Sequence, residues 1–300
     1  MKKVMLVLAA AAIAATADAR ILRVSNVSGS SAPYTTIEAA HDAANSGDTI
    51  MVDASNTAYF AGSLTLTKSL VLIGPGYNLI ENNIVQEGMG NANLGGLHLK
   101  GEGSVIKGFT ITHLYIEAPK VVVNRCSTGD ISISKGADNC IVHQNFITGG
   151  MGGSKTSFHQ ITNNIFTSTA SGSGLLSDFE DCYVAYNTFR TSQVYIYSTN
   201  STYEHNIYQS YKDTGKGNSL TDNYETNIVN TQATKDFIDK DYYAIEISND
   251  VKSTYGAFAG NSPYVLAGVP SGPVIQDLIV PTTVEMGSTM NVTIKIGMSK

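Results

Sequence analysis

The sequence predicts an all-β solenoid, in which short strands form rungs that stack on one another. One phrase returns six times: an apolar residue, two variable residues, an asparagine, one variable residue and then usually another apolar residue. The asparagines lie 21, 19, 23, 19 and 17 residues apart and are Asn124, Asn145, Asn164, Asn187, Asn206 and Asn223. Such a period favours a solenoid, because a single rung cannot bury its own apolar side and needs neighbours above and below.

The same phrase predicts the interior of the solenoid. Stacked parallel strands lie about 4.8 Å apart, so equivalent positions in successive rungs touch. We therefore expect two interior columns, formed by the residues three before and two after each asparagine: Val121, Val142, Ile161, Val184, Tyr203 and Leu220, and then Cys126, Ile147, Phe166, Phe189 and Tyr208. The asparagine itself is predicted to occupy a bend, because it tolerates left-handed backbone angles, and its stacked amides can bond one another as a ladder.

Length and composition agree with one elongated β domain. The chain has 300 residues, of which 42% are hydrophobic and 15% are charged, and it contains no tryptophan. This is long enough for a single large core. The formal net charge is −6, and an acidic surface argues against nucleic acid and against anionic membranes as partners. We expect a monomer.

Residues 1–19 are predicted to be a secretory signal peptide. They contain two lysines, an apolar run from Val4 to Ala15, and a small-x-small cleavage site that ends at Ala19. The apolar run is too short to span a membrane permanently. Arg20 follows the cleavage site where a lipoprotein would need cysteine, so no lipid anchor is predicted. We expect cleavage after Ala19 and a secreted, periplasmic or cell-surface protein without membrane insertion.

The mature chain is predicted to contain the solenoid over residues 20–266 and a linker with a short β tail over 267–300. Thr35-Thr-Ile-Glu38 is a capping-box pattern that opens a helix through about Asn45. Residues 34–47 are therefore expected to cover one open end of the solenoid. Strands before the repeat are predicted at Thr49–Val52, Leu64–Thr67, Ser69–Ile73, Leu97–Leu99 and Val105–Ile111.

Two further stretches carry a resemblance to known proteins. The run from Tyr34 to Gly76 resembles the opening of many secreted β-helix proteins, and Tyr255–Leu266 resembles the closing block of such proteins of Bacteroidetes type. With the asparagine-bearing rungs, the chain is similar to right-handed parallel β-helix proteins of the pectate-lyase-like superfamily. The resemblance implies that the asparagine lies in the turn between the second and third strands of a rung. It also implies a polysaccharide ligand, since the superfamily includes lyases, hydrolases and esterases of polysaccharides.

Three cysteines remain after export, so at least one is unpaired in a monomer: Cys126, Cys140 and Cys182. Cys140 and Cys182 lie five residues before their asparagines, and His159 holds the same place in the rung between them. The three side chains are predicted to stack in one interior column. Three ligands along a single column cannot easily surround an ion, so we expect no metal there. The two stacked cysteines are two rungs apart, too far for a disulfide.

The catalytic signatures of that superfamily are missing. Hydrolysis of galacturonan requires clustered carboxylates on neighbouring rungs, but the only adjacent acidic pair within the rungs is Glu180-Asp181. A calcium-dependent lyase needs a group of carboxylates and an arginine or lysine base. No acidic cluster recurs at the rung spacing. We expect no cofactor, and Ca²⁺ only for a lyase.

A sugar-contacting face is predicted instead. If Val194 and Ile196 point inward, Tyr195 and Tyr197 point outward side by side. Outward tyrosines can stack on sugar rings while their hydroxyls bond sugar oxygens. The alternative is that they shield the flank of the solenoid. Nearby loops carry Lys155, Asp178, Glu180 and Arg190.

The predicted function is recognition of a polysaccharide or cell-surface glycan by a secreted β-helix protein. One alternative is a lyase or glycoside hydrolase acting on a uronate-containing glycan. In that case Lys155 or Arg190 would be the base, and Glu180 or Asp178 the acid or ion ligand. Another alternative is a structural or adhesive surface module, because the same superfold hosts unrelated roles.

Overall fold

The structure is a computed structural model that describes residues 19–79, 90–167, 176–191, 193–226, 249–270, 273–279, 289 and 292–298. The predicted signal peptide lies outside the described residues, apart from Ala19. Within the described part of the chain, no helix combines the length and the apolar character needed to cross a membrane.

Parallel strands wind around one apolar core and form a β-solenoid, so the predicted fold class is confirmed. The first sheet has ten strands. They pair in the order β1 (Ile21–Val24), β2 (Thr49–Val52), β4 (Val71–Ile73), β6 (Val105–Lys107), β8 (Val122–Asn124), β10 (Ile141–His143), β13 (Gln160–Thr162), β16 (Tyr183–Ala185), β19 (Thr202–Glu204) and β22 (Ser219–Thr221).

The second sheet begins with four long strands and then divides. The long strands are β3 (Phe60–Leu66), β5 (Asn93–Leu99), β7 (Thr110–Ile116) and β9 (Ser127–Ile133). The start of β9 pairs with β11 (Phe146–Ile147), and its end pairs with β12 (Met151–Ser157). One branch continues through β14 (Ile165–Phe166), β17 (Thr188–Phe189), β20 (Ile207–Tyr208) and β23 (Tyr224–Glu225). The other continues through β15 (Leu176–Glu180), β18 (Val194–Thr199) and β21 (Tyr211–Asp213).

Later rungs therefore have three strands, and the outward side of β12, β15 and β18 is here called the lateral face.

The predicted interior columns are confirmed from the second repeat onward. In the first sheet the register aligns Val142, Ile161, Val184, Tyr203 and Leu220. In the second, Phe166 stacks on Phe189 at 4.7 Å between ring centroids, and Phe189 stacks on Tyr208 at 4.9 Å.

The first repeat is offset from the prediction by two residues. Asn124 pairs with His143 and does not stand beside Asn145. Cys126 takes the place of the asparagine, and its backbone N–H donates to Asn145 Oδ1 at 2.9 Å. Val121 and Cys126 therefore lie outside the columns predicted for them. The apolar pattern could not show this, because a shift of two residues leaves the inward and outward alternation unchanged.

The left-handed residue of each bend precedes the asparagine, or Cys126 in the first repeat, which corrects the prediction that the asparagine itself adopts these angles. The residues with φ between 52° and 57° at this position are Arg125, Gln144, Asn163, Tyr186, His205 and Asp222. The asparagine that follows turns its amide into the core. Asn145 Nδ2 donates to Asn164 Oδ1 at 3.0 Å, and the same bond joins Asn164 to Asn187, Asn187 to Asn206 and Asn206 to Asn223.

A short helix, α1 (Ile37–Ala43), packs against β1, β2 and β3 near the first rungs. Thr36 is its N-cap, and Thr36 Oγ1 accepts a hydrogen bond from the Ala39 N–H at 3.2 Å. The cap is thus one residue later than the capping-box pattern indicates. The helix buries Ile37 and Ala40 against the core.

The chain returns along the bends after the last rung. Residues 255–269, here called the strap, follow α2 (Asn249–Thr254) and include a 3₁₀ turn at Leu266–Gly268. Hydrogen bonds to the strap span late and early rungs: Gly256 N–H to His205 O at 2.8 Å, Asn163 Nδ2 to Ala257 O at 3.0 Å, and Arg125 Nη1 to Val269 O at 2.8 Å. The tail forms an antiparallel hairpin of β24 (Pro273–Ile279) and β25 (Thr293–Met298).

Candidate functional site

The lateral face carries the two tyrosines that the sequence predicts to contact sugar. Tyr195 and Tyr197 project outward from β18, because Val194 and Ile196 of the same strand are fully buried. The two rings are parallel within 9°, and their centroids lie 6.1 Å apart. Tyr197 is 41% exposed, and Tyr195 is half-buried. The pair thus presents an ordered aromatic surface to solvent.

Two irregularities in the preceding strands of the lateral face involve Lys155 and Asp178. Residues 153–155 of β12 lie opposite Asp178 alone, and the pairing of β15 with β18 shifts again after Ser177. Lys155 and Asp178 both have a φ of 57°, and both are exposed. Bulges of this kind re-aim side chains and are common next to active sites. A cation and an anion therefore stand on adjacent rungs of the lateral face.

Glu180 adds a second carboxylate to the same rung as Asp178. Both are exposed on β15, because the residue between them, Phe179, is buried in the core. None of the ion pairs found among the described residues uses Lys155, Asp178 or Glu180. These three charged side chains therefore form no salt bridge among the described residues.

Arg190 does not reach this surface. It follows β17, in the other branch of the divided sheet, and it is 4% exposed. A guanidinium at that depth has no open access to a polymer on the lateral face. The structure places Lys155, Asp178 and Glu180 on the two strands that precede β18 on the same face and leaves Arg190 apart.

Register reveals a row of outward residues that the sequence analysis missed. It is here called the lateral row, and it runs across consecutive strands through His98, Tyr115, Ser132, Gly152, Ser177 and Tyr197. Four strand steps of about 4.8 Å separate Tyr115 from Tyr197, so the two residues are about 19 Å apart along the solenoid. Only small residues stand between them. The buried neighbours Ile131 and Ile133 could have shown that Ser132 points outward.

The other end of the lateral row is also aromatic and charged. The His98 ring stacks on Tyr115 with centroids 4.3 Å apart and planes within 11°. His98 Nδ1 lies 2.5 Å from Glu117 Oε1, and Lys100 Nζ lies 3.4 Å from Glu117 Oε2. The hydrogen bond from His98, followed by that from Lys100, lowers the pKa of Glu117. This end therefore holds a charged carboxylate beside a stacked ring pair.

The predicted interior column of cysteines and histidine is present. The backbone N–H of Cys140 donates to His159 Nδ1 at 3.1 Å, and that of His159 donates to Cys182 Sγ at 3.4 Å. Burial raises the pKa of the Cys126 thiol to about 12 and those of Cys140 and Cys182 to about 11. Among the described residues, no group of three or more His, Cys, Asp or Glu side chains could hold a metal ion. His159 and Cys182 in this column each accept a hydrogen bond from a backbone N–H of the preceding rung.

No family model, no curated protein and no solved structure matches the chain. The resemblance to the pectate-lyase-like superfamily therefore stays a prediction, whereas the parallel solenoid follows from the strand pairing itself.

Proposed function

We propose that the protein is secreted or displayed at the cell surface and binds an extended polysaccharide along the lateral row. The observation that carries this proposal is the parallel pair of Tyr195 and Tyr197 at one end of the row. The stacked rings of His98 and Tyr115 occupy the other end. The apolar faces of sugar rings pack on aromatic rings, while tyrosine hydroxyls bond sugar oxygens.

The shape of the row favours a polymer over a small ligand. It crosses successive rungs. Its middle consists of Ser132, Gly152 and Ser177, whose small size leaves the path along the row unobstructed. A linear glycan lying along the solenoid could contact both aromatic ends at once. Lys155, Asp178 and Glu180 stand beside it. The ammonium can donate to ligand hydroxyls and the carboxylates can accept from them, and hydrogen bonds that involve a charged group are the stronger kind.

Replacement of both lateral tyrosines tests the proposal. We expect Tyr195→Ala with Tyr197→Ala to weaken binding about 30-fold, because each ring contributes roughly 1 kcal/mol beyond its buried area. The measurement is retardation in gels that contain uronate-rich or neutral polysaccharides, with the dissociation constant taken from its dependence on glycan concentration. Both side chains point away from the core, so circular dichroism should show an unchanged fold.

Phe158→Ala is the matched control. Phe158 is an aromatic residue that is 57% exposed, but it lies after β12, at the corner that leads to the first sheet, and outside the lateral row. Its replacement should leave retardation as in the wild type. Wild-type retardation of the double variant would show that the lateral row is not the binding surface. Ultraviolet absorbance from unsaturated products in the same mixtures would identify the alternative, a lyase that uses Lys155 and the adjacent carboxylates.

A further inference from the structure

A second concave site lies away from the lateral face, between the first sheet and the strap. Its volume is about 340 Å³. The outward side chains of β10, β13 and β16 form its floor, among them Gln160, Thr162 and Tyr183. Tyr186 stands at the bend, and Asn261 and Ser262 of the strap form the opposing wall. Three rungs and a returning segment thus border one open pocket.

Buried amides of the bends hold the strap wall in place. Gln144 Nε2 donates to Ser262 O at 3.2 Å and to Pro263 O at 2.5 Å. Asn163 Nδ2 donates to Ala259 O at 2.9 Å. Both amide side chains are at most 5% exposed. The wall is therefore formed before any ligand arrives, and a pre-organised site loses less entropy on binding.

The lining offers neutral hydrogen-bonding groups and aromatic rings. Gln160 and Asn261 carry amides, and no described residue is found to bond the amide of either one. Thr162 and Ser262 carry hydroxyls. Amides and hydroxyls both donate and accept, as hydroxyl-rich ligands require.

Two tyrosine rings complete the lining. The ring of Tyr186 is held against His205, with centroids 4.9 Å apart and planes within 23°. Tyr183 is fixed by its hydroxyl, which donates to Glu204 Oε1 at 2.6 Å. Such rings can pack on the apolar face of a sugar.

The cavity carries little charge. No Lys, Arg, Asp or Glu is among its described lining residues, and the one titratable imidazole is His143. His143 Nδ1 lies 2.8 Å from Thr162 Oγ1. Burial, and to a lesser degree the charge of Arg125, lowers the pKa of His143, so its ring is neutral at pH 7. A charged ligand would find no counter-ion among these described lining residues.

We infer that this cavity binds a neutral, hydroxyl-rich ring, namely a single neutral saccharide unit. Its volume stands at the lower end of the range for small-molecule sites, which suits one ring better than a chain. The site differs from the lateral row in ligand size, in charge and in position. The inference therefore does not depend on the function proposed for the lateral face.

The test uses saturation-transfer NMR on the protein with methyl glycosides of glucose, galactose, mannose and xylose. Glucuronate, galacturonate and glucosamine serve as charged counterparts. We expect transfer to at least one neutral glycoside and much less to its charged counterparts. Gln160→Ala combined with Asn261→Ala should weaken that binding about tenfold, because two hydrogen bonds are lost. Both residues are exposed, so the variant should keep the wild-type melting temperature.

The lateral variant, Tyr195→Ala with Tyr197→Ala, is the matched control and should bind the neutral glycoside as the wild type does. Absence of transfer to every neutral glycoside would overturn the inference. Equal transfer to the charged counterparts, or unchanged binding by the Gln160 and Asn261 variant, would also overturn it. Loss of binding in the lateral variant alone would move the small-saccharide site to the lateral face.

Discussion

Buried polar side chains set the register of the rungs. Asn145, Asn164, Asn187 and Asn206 are fully buried, and each amide bonds the next. An unpaired buried amide costs about 1–3 kcal/mol, so a slip of two residues would be opposed at every rung. The amide ladder begins at Asn145, because Cys126 stands below it and Asn124 lies outside the column.

His159 should make the stability of the protein depend on pH. Its side chain is 1% exposed, and burial lowers its pKa from 6.5 to about 4, against a smaller opposite effect of Asp138. Between these values the unfolded chain binds a proton that the folded chain does not. The stabilisation is therefore complete above pH 6.5 and is lost as the pH falls toward 4. We expect a loss of about 3 kcal/mol across this window.

Urea unfolding at several pH values measures this effect in the wild type and in His159→Asn. Asparagine suits the column, because Asn218, three rungs later, already accepts the Ser201 N–H through its Oδ1 at 3.0 Å. The variant should be less stable at pH 7 and show a flatter pH dependence between 4 and 6.5. The same slope in both proteins would assign the dependence to other groups, such as His143, whose pKa burial also lowers.

The division of the second sheet creates the lateral face. The long strands β5, β7 and β9 pair along their length, but a glycine pair, Gly149 and Gly150, separates β11 from β12. The Gly150 N–H donates to Asp130 Oδ1 at 2.8 Å, and a Cβ on Gly149 would collide with Asp130. The glycines thus let the chain turn at this corner, so β12 and its successors form a separate strand row.

The strap holds early and late rungs together, and Gly268 is its tightest point. Gly268 has a φ of +55°, and a Cβ there would collide with the ring of Tyr77 and with Arg125 O. The Tyr77 N–H also donates to Ala267 O at 2.8 Å, and the hydroxyls of Tyr77 and Tyr264 bond each other. These contacts join the end of the strap to the chain that follows β4.

Gly268→Ala should therefore loosen the strap end by about 1–3 kcal/mol. We expect faster amide hydrogen exchange at Tyr77 and Gly268, with the asparagine-bearing rungs unchanged. Gly136→Ala is the control, because Gly136 has a φ of +85° but no neighbouring atom within 4 Å of the added carbon. If amide hydrogen exchange around the substituted residue were accelerated equally in both variants, backbone strain and not the collision would be responsible.

Export should complete an ion pair at the start of the solenoid. The backbone N–H of Arg20 donates to Asp48 Oδ1 at 2.9 Å, and the Arg20 guanidinium lies 2.7 Å from Oδ2. The Asn45 N–H and then Arg20 lower the pKa of Asp48 to about 2. Cleavage after Ala19 would turn that N–H into a charged ammonium beside a carboxylate that is already ionised.

The N-terminal peptide of the exported protein, identified by mass spectrometry, should therefore begin at Arg20. Asp48→Asn should lower the melting temperature more in this mature chain than in a chain that keeps Ala19, because only the mature chain has the additional charge. A mass that places the first residue elsewhere would contradict the predicted cleavage site. Equal effects of Asp48→Asn in both chains would contradict the role of the ammonium.

The local sequence was sufficient to predict the rungs but not to predict how distant residues assemble the sites. Alternating apolar residues and the recurring asparagine predicted the solenoid, its interior columns and the outward Tyr195 and Tyr197, because strand alternation and a repeat period are properties of neighbouring residues. The offset first repeat, the lateral row and the strap cavity depend on pairing between distant residues. Asn163 meets Ala257 across 94 residues, and loops of unequal length shift each rung in sequence. Such contacts form only when the rungs stack, so no local sequence pattern predicts them.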